Sequence, residues 1–419
     1  MTIERPASAA PGAPPAAAPV ARGFFRDLAL VHIANALVAF LFAASGPLAI
    51  ILATGSKGGL SEADLASWVF GSLAINGVVS IAYSLAYRQP LAFFWTIPGT
   101  ILVGSALDHL TFAQVIGAYL ATGLLMLALG VTGWVHRAMA LVPMPIVMAM
   151  VAGVFLAFGL DWVRAFQADL WIAAIMTAAF LAVSAVPPVA ARLPPLIVAL
   201  GGGALALHYA GWVPPVLDPA GMLAAPRLHL PEFSWAAMAE LVVPLAITVL
   251  VVQNGQGIAV LTAAGHAPPI DKIAVGCGAT SMVAAFIGAV PTCLTGPVNA
   301  IISASGQRHA QYTAGVLVGV LGVGFGLFAP LVTRLMLSTP PAFIATLAGL
   351  AMLRVLQSAF AVAFQGRFTM GALVTFLVTV AGIPILNIGA PFWALIAGTL
   401  VSLLLERGDW REDPTPRVT

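Results

Sequence analysis

Leu91–Leu107 reads LAFFWTIPGTILVGSAL, and Pro291–Ser305 reads PTCLTGPVNAIISAS. Both stretches are apolar, yet each is short and carries a proline beside a glycine near its middle. Pro98 lacks an amide hydrogen and disfavours helix at Ile97, so residues 92–97 are predicted to be extended, with a short helix starting near Gly99. Pro297 plays the same part in the second stretch, whose helix runs on through Asn299. Unwound backbone at membrane depth is tolerated only where protein buries it or where it lines a cavity. Two half-helices meeting near the midplane, N-termini facing, would offer amides and partial positive charge to an anion without any basic side chain. A glycine–proline pair can also mark a mere kink in a membrane helix. Its recurrence at matching places in both halves of the chain favours a site.

The surrounding sequence supplies the membrane. Of 419 residues, 61% are hydrophobic and 8% charged, whereas soluble domains carry about a quarter charged. A bilayer core roughly 30 Å thick needs about 20 apolar residues per helical span, and such runs recur from Leu28 almost to Leu405. They are continuous rather than alternating, which excludes a transmembrane β-barrel. The fold class is therefore an all-α polytopic membrane protein. Fourteen segments are expected, at 28–53, 67–87, 91–106, 112–134, 143–160, 171–187 and 194–210, then 238–262, 272–289, 291–304, 311–335, 341–360, 367–385 and 390–405. The third and tenth are the short, broken ones.

Charge placement tests that count. One side of the membrane collects Arg5, Arg22, Arg26, Arg88, Arg137, Arg192, Lys272, Arg308, Arg354, Arg367, Arg407, Arg411 and Arg417. The other holds Lys57, Arg164, Arg227 and Arg334, a division of 13 against 4. Both termini are thus expected in the cytoplasm of a bacterial-type inner membrane. Residues 1–25 read as a disordered tail, nearly all Ala and Pro from Pro6 to Val20, without the features of a cleaved signal peptide. Residues 211–237 read as a connecting loop and 407–419 as a C-terminal tail. Cys277 and Cys293 both fall in apolar segments and imply no disulfide framework. A net charge of +2 with no basic stretch gives no sign of nucleic acid.

The two halves, 26–210 and 238–406, superimpose in sequence. GPLAIILATG at Gly46–Gly55 matches QGIAVLTAAG at Gln256–Gly265, an offset of 210. Gly71 and Ala74 match Gly276 and Ala279, offset 205, and Ala113-Gln114 matches Ala310-Gln311, offset 197. Pro145 with Ala152-Gly153 matches Pro341 with Ala348-Gly349, and Pro195 with Gly202 matches Pro391 with Gly398, both at offset 196. Ordered matches with a smoothly drifting offset indicate a repeat. Seven segments per copy is an odd number, so the second copy enters from the opposite face. Inverted repeats of this kind are typical of alternating-access transporters.

Polar side chains inside spans extend the candidate site. Gln253, Asn254 and Gln256 form the densest such cluster, in VVQNGQGIAVL, and amides there face a bundle interior where they pair or contact substrate. Ser45 in the first segment lies near the presumed site, whereas Asn76 reads as structural glue and Asn35 is left open. Around the breaks the candidates are Phe94, Trp95, Thr96, Ile97, Gly99 and Thr100, then Leu294, Thr295, Gly296 and Asn299. Phe94 and Trp95 would form an aromatic wall, although membrane aromatics more often only pack. No cluster of His, Cys and carboxylates and no nucleophile motif sits within the spans, so no metal, cofactor or enzymatic centre is expected. Gly201-Gly202-Gly203 permits close helix contact, within one chain or across a homodimer.

YRQPLAFFWTIPGT, QNGQGIAVL and PTCLTGPVNAI together resemble the benzoate:proton symporter (BenE) family, over nearly the whole membrane region. The resemblance implies the fold of uracil permeases and sulfate-permease-like anion carriers. In that fold a core of segments 1–4 and 8–11 moves against a gate of segments 5–7 and 12–14. Nucleobase carriers of this fold hold one glutamate in the eighth segment and another at the tenth-segment break. The matching positions here are near Gln253 or Asn254 and at Pro297, and neither carboxylate is present. That favours a substrate bearing its own negative charge, an aromatic carboxylate imported with a proton. Another anion, a nucleobase-like ring or an anion channel are the rival readings. Glu240 and His32 are the titratable groups available as proton carriers, unless the proton travels on the substrate.

Overall fold

The computed structural model describes residues 23–135, 137, 142–190, 193–214, 221–304, 306–383, 385 and 390–412. The Pro6–Val20 tail, Arg5, Arg22, Arg192, Ser305, Arg417 and most of the 407–419 tail lie outside them. The principal helices in chain order are α1 (Leu30–Lys57), α2 (Glu62–Tyr87), α3 (Ile97–Ala106), α4 (Phe112–Thr132), α5 (Met144–Ala168), α6 (Leu170–Ser184) and α7 (Pro195–Tyr209). They continue with α8 (Trp235–Ala263), α9 (Ile270–Ala285), α10 (Gly296–Ile302), α11 (Tyr312–Leu327), α12 (Pro341–Ala363), α13 (Thr369–Ala381) and α14 (Ala390–Leu405). Strands β1 (Phe93–Trp95) and β2 (Thr292–Leu294) precede α3 and α10. Among the described residues, seven helices are long and apolar enough to cross a membrane: α1, α2, α4, α5, α8, α11 with the Arg308 turn before it, and α12.

Local chemistry sets the ends. Thr111 caps α4 by accepting the Gln114 amide at 3.3 Å while the Gln114 side chain accepts the Thr111 N–H at 3.1 Å, a reciprocal capping box. Asp169 caps α6 through the Ile172 amide at 3.0 Å. Prolines open α3, α5, α7, α10 and α12, where the missing N–H would find no partner in any case.

Three departures from the expected segments follow from proline. Helix α3 begins at Ile97, not near Gly99, because Pro98 is accommodated as its second residue and Thr96 serves as the cap. The first segment is not continuous: Ser45 (φ −95°, ψ −100°) breaks it between Ala44 and Gly46, just before Pro47. The eleventh segment, expected over 311–335, splits at Phe328, and a separate helix Ala329–Leu337 starts with Pro330 in its first turn. Wide π turns at Gly71–Ile75, Met238–Val242 and Thr248–Asn254 interrupt α2 and α8. Nothing in local residue type announces them.

Two large apolar clusters organise the packing. One gathers Phe40, Leu52, Trp68, Leu73, Phe94, Trp95, Tyr119, Leu241, Val298 and Val318, from α1, α2, β1, α4, α8, α10 and α11. The other gathers Met150, Phe155, Met176, Leu196, Phe343, Leu347 and Leu350 from α5, α6, α7 and α12, together with Ile50, Ile97 and Ile101 of α1 and α3. Helix α3 therefore lies on the seam between them. Glycines allow the tightest crossings: a Cβ on Gly278 of α9 would fall 2.5 Å from the Leu127 amide nitrogen and 2.7 Å from the Gly123 carbonyl oxygen of α4. Gly202 and Gly203 face neighbours within the chain, Gly203 packing against Phe343 and Met176.

Candidate functional site

The two broken segments meet. Strands β1 and β2 pair antiparallel, with Phe93 opposite Leu294, Phe94 opposite Cys293 and Trp95 opposite Thr292. The ladder extends one bond each way, Thr96 N–H to the Pro291 carbonyl at 3.0 Å and Thr295 N–H to the Ala92 carbonyl at 3.2 Å. A ladder of two strands leaves outward-facing amides, and an unpaired buried amide costs about 1–3 kcal/mol. Side chains from neighbouring helices take them up. Ser80 Oγ accepts the Phe93 N–H at 2.8 Å, and Ser281 Oγ accepts the Thr292 N–H at 2.9 Å. Asn299 Oδ1 accepts the Ala92 N–H at 3.0 Å, and Asn254 Oδ1 accepts the Leu294 N–H at 2.7 Å. Asn76 Oδ1 accepts the Thr292 hydroxyl at 2.7 Å, the structural role expected of it.

From this crossing α3 and α10 start. Thr96 Oγ1 accepts the Gly99 N–H at 3.2 Å, donates to Thr248 Oγ1 at 3.1 Å, and its carbonyl accepts the Thr100 hydroxyl at 2.9 Å. The first turn of α3 is thus capped from within. Helix α10 differs: Thr295 makes no side-chain capping bond, and its hydroxyl lies 3.7 Å from Cys293 Sγ. Gln256 lies against Gly296, where an added Cβ would come 2.5 Å from its Cγ. Gln253, in the π turn of α8, is buried, and its Oε1 has no hydrogen-bond partner among the described residues.

The sequence-predicted residues thus divide by what they touch. Thr96, Thr100, Asn254, Asn299 and Leu294 are engaged in holding the strands and the α3 start. Phe94 and Trp95 are buried in the first apolar cluster, edge to face at 5.9 Å, and the Trp95 indole N–H has no partner among the described residues. Ile97 sits on the seam. Gly99 is packed against Leu245 and Thr248 of α8. Ser45 Oγ donates to the Phe42 carbonyl at 3.0 Å within the break of α1.

The two titratable candidates lie elsewhere. His32 is buried near the start of α1, its Nδ1 accepting the Ala29 N–H at 3.3 Å, and its Nε2 faces Gly306 without a hydrogen-bond partner among the described residues. Glu240 is buried in the Met238–Val242 turn of α8 and bonds His109 Nε2 through Oε2 at 2.8 Å. Sequence reading missed His109, which stands in a turn after α3 with no motif around it.

A cavity of about 600 Å³ opens between the end of α1, the C-terminal half of α3 and the helices α5, α13 and α14. Thr54, Lys57, Ile101, Ser105, Asp108 and His109 contribute to its wall. The cavity reaches Ile101 but not the strand crossing. Ile97, one turn deeper, packs into the apolar cluster with Met150, Phe155 and Leu347. The site residues and the cavity are therefore separated by an apolar seal on the seam. Among the described residues no group of three or more His, Cys, Asp or Glu side chains is arranged to hold a metal.

The overall fold of the chain is shared with solved membrane proteins. The chain resembles the transmembrane domain of a cyanobacterial bicarbonate transporter, BicA, with a TM-score of 0.60 at 15% identity, over 88% of this chain and 98% of that one. It resembles the murine anion transporter Slc26a9 in an inward-facing state with a TM-score of 0.60 at 12% identity, covering 93% of this chain and 69% of that one. At these identities the likeness is one of fold. Residues 26–404 match the family described as BenE, benzoate membrane transport protein. The chain belongs to the BenE family of membrane transporters. It is 28% identical over 377 residues to inner membrane protein YdcO of Escherichia coli K12, covering 88% of this chain and 94% of that protein. It is also 28% identical over 385 residues to the benzoate membrane transport protein of Acinetobacter baylyi, covering 91% and 96%.

Proposed function

We propose that this chain is a secondary carrier of the bacterial inner membrane that imports benzoate or a related aromatic carboxylate together with a proton. The observation that carries the reading is the uncommitted polar surface at the strand crossing. Thr96, Asn254 and Asn299 are consumed by scaffold bonds, whereas α10 starts without a side-chain cap, and Gln253 keeps an amide whose oxygen no scaffold donor holds, so that its NH2 end is free to turn to an anion. The Gly296 and Val298 amides that open α10, with the Thr295 hydroxyl and the Gln253 amide, are the donors offered to a carboxylate, and no side chain named at the crossing carries a formal charge to repel it. The curated relative from Acinetobacter baylyi, by its name, carries benzoate, which supports the aromatic acid as substrate.

The fourteen helices form two inverted seven-segment repeats with both termini cytoplasmic. Segments 1–4 and 8–11 act as the core and segments 5–7 and 12–14 as the gate, a division that the two apolar clusters support. Substrate enters through the 600 Å³ cavity, passes the Ile97/Ile101 seal as core slides on gate, and leaves on the other side by alternating access. Uptake of radiolabelled benzoate into proteoliposomes tests this. Gln253→Ala and Thr295→Ala should each abolish uptake while the protein still inserts, and normal uptake by both variants refutes the site. A different anion on the same fold is the second reading, suggested by the bicarbonate transporter among its structural likenesses. Competition by unlabelled bicarbonate, sulfate, uracil and benzoate separates the two. A channel would show no uphill accumulation.

A further inference from the structure

The Glu240–His109 pair has a position that the substrate site does not explain. The Glu240 side chain is 3% exposed and its one salt-bridge partner among the described residues is His109, whose side chain is 22% exposed. Glu240 sits in a π turn of α8, and His109 follows the C-terminus of α3, its amide donating to the Ala106 carbonyl at 3.2 Å. The pair ties together two of the elements that build the strand crossing. His109 also lines the cavity that leads toward it, so water and protons reach the imidazole while the carboxylate stays buried.

The surroundings leave this pair responsible for its own charge. Lys57 and Asp108 share the cavity wall, but Lys57 is bonded to Asp161 of α5, whose second oxygen accepts from Arg164 at 3.1 Å. Helix α4, packed on the same turn of α8, brings Tyr119, whose buried hydroxyl has no hydrogen-bond partner among the described residues. Helix α14, also in contact with that turn, contains no titratable side chain, and neither does α13 across the cavity. With the imidazole neutral, the pair is a buried net negative charge. With one proton added it becomes a neutral ion pair.

We propose that Glu240 and His109 are the proton-binding pair that couples transport, loaded from the cavity when the carboxylate substrate enters it. The proposal rests on the carrier reading above. The proton moves from cavity water to the imidazole and is held along the Nε2–H···Oε2 hydrogen bond, and no other group changes charge. A benzoate anion and an unprotonated pair are like charges. Like charges brought into one low-dielectric region disfavour each other, so a proton on the pair and a benzoate anion in the cavity favour each other. By linkage the coupling is reciprocal: the substrate favours the proton and the proton favours the substrate.

The test uses the full chain in proteoliposomes with radiolabelled benzoate and two measurements. One is accumulation driven by an inside-alkaline pH gradient, and the other is counterflow between equal pH on both sides. Glu240→Gln keeps the hydrogen-bonding shape without the charge, and His109→Gln removes the proton acceptor. Both should lose gradient-driven accumulation, the inside-to-outside ratio falling to about one, while counterflow continues and loses its dependence on pH. Accumulation at the wild-type level in both variants overturns the proposal and leaves the carrier reading standing. Loss of counterflow in both also overturns it, by assigning the pair to the fold or the substrate path. Absence of counterflow in the wild type removes the benzoate reading and the coupling proposal with it.

Discussion

Asn299 is the residue whose removal most directly tests how the crossing is built. Its side chain accepts the Ala92 N–H at 3.0 Å and donates to the carbonyls of Ala92 at 2.9 Å and Thr295 at 2.8 Å. In Asn299→Ala the Ala92 carbonyl still accepts the Thr295 amide, and the Thr295 carbonyl still accepts the Asn299 amide. The Ala92 N–H is left with nothing. A buried orphan amide costs about 1–3 kcal/mol, and the lost side-chain packing brings the expected total to about 2–3 kcal/mol. At about 2 °C per kcal/mol, the low end for large domains, the melting temperature of the purified protein should fall by about 4–6 °C. Asn299→Asp should lose at least as much, because its second oxygen faces two carbonyls. Thr122→Val is the control: that hydroxyl donates only to the Ala118 carbonyl of its own helix, at 2.7 Å, and its loss should cost about 0.6 kcal/mol or less. A melting temperature for Asn299→Ala within 1 °C or so of the control would show that Asn299 does not hold the ladder.

Three further outcomes can be checked alongside it. Gly278→Leu should prevent α4 and α9 from closing, since even a Cβ there meets the Leu127 nitrogen at 2.5 Å; normal yield of a monodisperse protein would contradict the packing. Gln253→Ala should abolish benzoate uptake with a melting shift of under about 2 °C, because that side chain holds no strand amide; a large melting shift would recast it as scaffold. His229, in the segment before α8, has its imidazole held below the usual 6.5 by burial, with Asp64 opposing and Arg227 reinforcing the effect. The fold prefers it neutral, so stability should be flat above about pH 6.5 and fall as pH drops below that value, where the unfolded chain binds a proton first. His229→Gln should flatten this part of the acid limb of a melting-temperature profile, and an unchanged limb would refute the assignment.

The breaks were legible because proline acts through a steric rule that needs no partner: Pro98 and Pro297 each mark the start of a half-helix wherever the chain folds. The strand pairing was only half legible. Extended backbone could be inferred at 92–97, but the register of Phe94 on Cys293 depends on residues about two hundred positions apart. Ser80 and Ser281 support that register as a matched pair, yet a serine in an apolar helix looks the same whether it bonds its own helix or a neighbouring strand. The split at Phe328 had a visible cause in Pro330, and the break at Ser45 had one in Pro47. The π turns had none, since they arise where tertiary contacts force one extra residue into a turn. His109 was invisible for a related reason. Its meaning comes from Glu240, 131 positions away.

The sequence assigns Asn76 to structure and leaves the span amides to pair or to contact substrate, and the structure gives several of these polar residues a prior obligation. A short ladder at membrane depth exposes amides on both edges, and lipid offers them nothing. Ser80, Asn254, Ser281 and Asn299 answer that need, so the side chains that make the break possible are spent in making it. On the proposed reading, what remains for a ligand is backbone at the start of α10, Thr295 and Gln253. A site so poor in side-chain donors has limited means of discriminating among carboxylates by hydrogen bonding, because any carboxylate presents the same two oxygens. On that reading discrimination falls to the apolar seam, where Ile97 and Ile101 share a cluster with Phe155 and Leu347. Each methylene of mismatch there is worth about 1–3 kcal/mol. Phe155→Ala should therefore broaden the range of acids accepted, while Gln253→Ala should abolish uptake of all of them alike. If instead Phe155→Ala leaves the competition profile of substituted benzoates unchanged, the ring does not rest on the seam.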